Sequence, residues 1–105
     1  MNLQDTGPGN GIRMTTLPSG LVLISERLPH IRSVALGLSF LTGGRDDPPG
    51  QAGIAHMIEH MVFRGTRDKD VIAINIAAET HGAELNAFTD KETTCFYGRF
   101  PGDQF

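Results

Sequence analysis

Between Ser33 and Thr42 the chain alternates: Val34, Leu36, Leu38 and Phe40 share one face, and Ala35, Gly37, Ser39 and Leu41 share the other. A period of two marks a strand, and because both faces are small or apolar, cover is expected on each side. Two shorter extended runs precede it, Arg13 to Leu17 and Leu21 to Glu26, flanking the turn residues Pro18-Ser19-Gly20. Gly43-Gly44-Arg45-Asp46-Asp47-Pro48-Pro49-Gly50 breaks the alternation and predicts a loop. The period then changes. Ile54, Met57, Ile58, Met61 and Val62 recur at helical spacing, which predicts a helix from Ile54 to Phe63. A second helix is predicted over Val71 to Thr80, with Asp70 as its cap and Gly82 as its terminator. Glu84 to Thr89 and Thr93 to Phe100 return to strand character and join across Asp90-Lys91-Glu92, which predicts a hairpin.

Strands, two helices, then strands again predict an α+β fold, a mostly antiparallel sheet with two helices packed on one face. Residues 1–12 hold Gly7-Pro8-Gly9-Asn10-Gly11 and few apolar side chains, so they read as a flexible leader, with 13–105 as the structured part. A length of 105 residues suits one domain at most.

Charge narrows the function classes. The formal net charge is −3 and the basic residues are scattered, so the footprint of a nucleic-acid binder is missing. No apolar run is long enough to span a bilayer, and no membrane partner is expected. The start of the chain shows no basic-then-apolar signal pattern, which favours a cytoplasmic location but leaves the compartment open, since a matured protein would look the same. The single cysteine, Cys95, excludes an intrachain disulfide and a thiolate-rich zinc site, and it reads as a buried structural thiol. Any metal must therefore be held by histidine and carboxylate.

His56-Met57-Ile58-Glu59-His60 supplies that chemistry. On a helix, His56 and His60 lie one turn apart on the same side, where two imidazoles can bind one metal ion. Glu59 falls close enough in angle to act on a water at that metal without being a ligand. Zinc brings the pKa of such a water to about 7, and a carboxylate can then take its proton and later pass it to a leaving amine. The competing reading is two solvent-facing histidines with an incidental glutamate. The apolar residues on the opposite side of the helix favour a metal site in a cleft. His30, in a Pro-flanked loop, and His81, at the end of the second helix, read as ordinary residues.

The stretch Gly53-Ile54-Ala55-His56-Met57-Ile58-Glu59-His60-Met61-Val62-Phe63-Arg64-Gly65-Thr66 resembles the signature of the pitrilysin/insulinase family of inverted zincins, of the M16 type. Leu17-Pro18-Ser19-Gly20-Leu21, Gly43-Gly44-Arg45-Asp46 and Gly82-Ala83-Glu84-Leu85-Asn86-Ala87-Phe88-Thr89 resemble further family segments, so the likeness covers roughly residues 13–100. It is similar in particular to bacterial processing-peptidase-like members. The resemblance implies a zinc-dependent endopeptidase with His56 and His60 as zinc ligands and Glu59 as general base. It also implies that Asn86 and Ala87 bind peptide substrate on an edge strand by strand addition. The family's third zinc ligand is a glutamate expected beyond Phe105; Glu79, Glu84 and Glu92 do not match its position. The 105 residues are accordingly expected to be an incomplete, inactive piece of a longer peptidase, which self-associates or packs on a second domain of the family. The alternative is a non-catalytic subunit or scaffold of the same fold.

Overall fold

The computed structural model describes residues 3–5 and 11–104. Eight strands and helices follow in order: β1 Leu3–Asp5, β2 Ile12–Thr16, β3 Val22–Glu26, β4 Ser33–Phe40, α1 Ile54–Val62, α2 Val71–Thr80, β5 Glu84–Thr89 and β6 Thr94–Pro101. The α+β class is as expected. The strands divide, however, into two three-stranded antiparallel sheets, β1-β2-β3 and β4-β6-β5. The chain correspondingly forms two compact units, Met1–Ile31 and Arg32–Phe105.

In the first unit the Pro18-Ser19-Gly20 turn closes through Leu17 N–H to Leu21 C=O at 2.8 Å and Gly20 N–H to Leu17 C=O at 2.9 Å. This sets Met14 opposite Ile24 and Thr15 opposite Leu23. Leu3–Asp5 pairs with the other edge of β2, Gln4 opposite Met14. Part of the stretch expected to be a flexible leader is therefore strand, because β2 offers it an open row of backbone groups. The rest of that expectation, at residues 1, 2 and 6–10, lies outside the described residues.

In the second unit β6 is the central strand. Leu38 and Ala87 face Phe96 from either side, and Gly37 and Asn86 face Tyr97. Because side chains alternate across a sheet, Leu36, Leu38, Phe40, Phe96, Ala87 and Thr89 share a face, and Ser39, Cys95, Tyr97, Asn86 and Phe88 share the opposite one. α1 lies against β5 and β6, and α2 against β5. Phe96 anchors the helix side, its ring 6.2 Å from Phe40 in an edge-on arrangement and 6.1 Å from Phe63. Cys95 is buried, as expected of a structural thiol, and Ser39 Oγ donates to its Sγ at 3.4 Å.

α2 starts where its cap predicts: Asp70 Oδ1 accepts from Ala73 N–H at 2.8 Å. It ends with Gly82 at φ 62°, a left-handed conformation that costs a Cβ-free residue little. Its sequence, Val71-Ile72-Ala73-Ile74-Asn75-Ile76-Ala77-Ala78, is apolar almost all round. A helix of that kind is normally covered on more than one side. Here Ile72 and Ile76 are 63% and 57% exposed. Under α1 a cavity of about 570 Å³ stays open, lined chiefly by Phe40, Ile54, Ile58, Val62 and Phe96.

Candidate metal centre

The site begins with the loop before α1. Gly44 N–H donates to Asp90 C=O and Arg45 N–H to Lys91 C=O, each at 2.9 Å, so the loop docks on the β5–β6 turn backbone to backbone. Arg45 also pairs with Glu92 across that junction. The approach leaves no room for a side chain: a Cβ on Gly43 would lie 2.5 Å from Asp90 O and 2.7 Å from Glu92 N.

Asp47 then starts the helix. Its Oδ2 accepts from Gly53 N–H at 2.6 Å and its Oδ1 from Ala55 N–H at 2.9 Å. These bonds satisfy amides that a helix N-terminus leaves orphaned, and they place a negative charge at the positive end of the helix dipole. The N-cap residue itself is Gly53, which has no side chain to do this.

With α1 in place, His56 and His60 stand one turn apart and both are exposed. Their Nε2 atoms are 3.0 Å apart and their ring centroids 4.6 Å apart. Two nitrogens on one tetrahedral zinc, each at about 2.05 Å, are separated by roughly 3.3 Å, so the pair needs only a few tenths of an ångström of adjustment to share an ion. Glu59 is part-buried beside them, its Oε2 accepting from Thr89 Oγ1 at 2.7 Å. One atom each from His56, Glu59 and His60 falls within 4.8 Å of the others. Two neutral nitrogen donors and a carboxylate suit a borderline divalent cation such as zinc.

The other expected residues lie elsewhere on the same unit. Asn86 and Ala87 sit in β5, at an edge of the sheet, where Ala87 N–H donates to Asn86 Oδ1 at 2.8 Å. Glu84 pairs with Arg99 at 2.6 Å and Glu92 with Arg45, so each already has a cationic partner. His81 is the C-terminal cap residue of α2. The sequence reading missed Asp47 and Thr89. Asp47 lies six residues before Gly53, too far upstream for the usual capping spacing, and Thr89 meets Glu59 only through the tertiary fold.

Comparison with known proteins follows the same lines. The family model described as Insulinase (Peptidase family M16) matches residues 22–105. The chain belongs to this family. Among members, a Streptomyces coelicolor protein named as an uncharacterized zinc protease is 44% identical over 88 residues, covering 84% of this chain and 19% of that one. A Bacillus subtilis protein, also named as an uncharacterized zinc protease, is 40% identical over 88 residues, covering 84% and 22%. The mitochondrial-processing peptidase subunit beta of Saccharomyces cerevisiae is 34% identical over 89 residues, covering 85% and 19%. The crystal structure of a protease from Helicobacter pylori shares the fold, with a TM-score of 0.79 at 24% identity, covering 90% of this chain and 22% of that one. The chain thus spans about a fifth of the length of the relatives it matches.

The double cap leads to one expectation about the helix. Asp47→Ala should speed amide exchange at Gly53 and Ala55 by about tenfold, the equivalent of losing a good cap, while exchange in β6 is unchanged. Hydrogen-exchange mass spectrometry or NMR reads this directly, and equal protection in the variant would refute the capping role.

Proposed function

We propose that the chain is the metal-binding segment of a zinc-dependent endopeptidase that hydrolyses peptide bonds of peptide or unfolded protein substrates. The observation that carries this reading is the convergence of the His56 and His60 Nε2 atoms, 3.0 Å apart, with the Glu59 carboxylate alongside. His56 and His60 would hold the ion. When bound, zinc supplies a Lewis acid that polarises the scissile carbonyl and acidifies the attacking water.

Glu59 takes a proton from that water as its oxygen attacks the carbonyl carbon, and returns the proton to the amine nitrogen as the C–N bond breaks. Asn86 and Ala87 hold the peptide as an added strand on the β5 edge. There the incoming peptide displaces Asn86 Oδ1 from the Ala87 N–H. A third protein ligand, a glutamate, comes from outside these 105 residues: among the described residues only His56, Glu59 and His60 gather as possible ligands. Names of the relatives support zinc and proteolysis, and the family's description as a peptidase supports a peptide hydrolysis.

The apolar surface left open on α2 and beneath α1 is covered by a further domain of the peptidase or, in the isolated chain, by a second copy.

Three outcomes test these statements. In the full-length protein, Glu59→Gln should keep its zinc by elemental analysis and lose about 10²–10⁴-fold in kcat. Persistent hydrolysis in that variant would remove Glu59 as the base. Residues 1–105 alone should bind zinc at least about tenfold more weakly than the full-length protein in isothermal titration, for want of an anionic ligand; equal affinity would show the site to be complete. The isolated chain should elute as a dimer or larger in size-exclusion chromatography, and a monomer at high concentration would count against self-association.

A further inference from the structure

Beyond the residues already given roles, the structure assigns Thr89 as the positioning residue for Glu59, an inference that rests on the general-base reading above. Its hydroxyl donates to Glu59 Oε2 at 2.7 Å, within the range of a charge-assisted bond to a carboxylate, and the contact is part-buried. Glutamate has three rotatable bonds, so a helix fixes its Cα but not its carboxylate. Holding Oε2 selects one arrangement and leaves the lone pairs of Oε1 to take a proton. Reaction geometry of this kind is sensitive to small misplacements, and orienting partners of this type commonly matter by 10–100-fold.

Thr89 is itself firmly placed. It is the last residue of β5 and lies opposite Thr94, which is buried and whose hydroxyl donates to Thr42 C=O at 2.9 Å. The next residue, Asp90, closes the turn: its N–H donates to Thr93 C=O at 2.9 Å, and its Oδ1 accepts from Glu92 N–H and Thr93 N–H at 2.7 Å each. Asp90 C=O in turn receives Gly44 N–H from the loop that leads to Asp47 and the start of α1. The helix that carries Glu59 and the strand that carries Thr89 are therefore tied together at two places, by the docked loop with its Gly44–Asp90 and Arg45–Lys91 backbone bonds and by the Thr89–Glu59 bond. A hydroxyl at the second place sits on a rigid frame rather than on a free strand end.

The test compares Thr89→Val, which keeps the shape and removes the donor, with Thr89→Ser, which keeps the donor, in the full-length protein. Thr89→Val should lower kcat by about 10-fold or more with KM within twofold, and Thr89→Ser should stay within about threefold of the parent. Zinc affinity, measured by chelator competition, should be the same in all three, and the crystal structure of Thr89→Val should show the Glu59 carboxylate displaced. An undiminished kcat in Thr89→Val, an equal loss in Thr89→Ser, a fall in zinc affinity or an unmoved carboxylate would each overturn the assignment. Glu59→Gln separates the two levels. If that variant is inactive while Thr89→Val is fully active, only the positioning role fails; if Glu59→Gln is active, the general-base reading fails with it.

Discussion

Two hydrogen bonds accepted by one carboxylate govern the geometry of the candidate centre. Asp47 accepts from Gly53 and Ala55, and so decides at which residue α1 begins. A helix advances about 100° per residue, so a start displaced by a single position would redistribute its faces. With α1 fixed, His56 and His60 converge on one side, and Ile54, Ile58 and Val62 face the sheet and its open cavity. The geometry of the candidate metal site and the core packing thus depend on the same capping contact, which comes from a loop rather than from the helix.

Much of this was legible in the residues, for reasons of period and reach. α1, α2 and the β5–β6 hairpin follow from local spacing, and their bounds fall within a residue or so of expectation. The His56–Glu59–His60 grouping was also legible, because the helix alone brings residues three and four apart onto one side. Thr89 was not, since its bond to Glu59 spans thirty residues and exists only once β5 is laid beside α1. The division of the strands into two sheets was equally hidden. Alternation tells which residues share a face of a strand but not which strand lies next to it.

Family membership and local geometry supply different kinds of support. The alignments with two bacterial relatives cover 84% of the chain, yet only 19% and 22% of the relatives' own length. Exposed isoleucines on α2 and the cavity beneath α1 agree with that disproportion: a helix apolar on nearly every side has partners to gain. The candidate metal centre depends less on such partners for its shape, because Asp47, Thr89, both histidines and Glu59 all belong to the second unit.

The contact between Gly43 and the β5–β6 turn carries a consequence for tolerated change. Surface turns usually accept an inserted or deleted residue at little cost. This one is pressed against a second backbone with room for a hydrogen atom and nothing larger. Its length is therefore gauged against a segment 47 residues away in sequence. An extra residue at Lys91 would act as a wedge, lifting the loop that ends in Asp47 and turning a peripheral insertion into an error of alignment at the histidines.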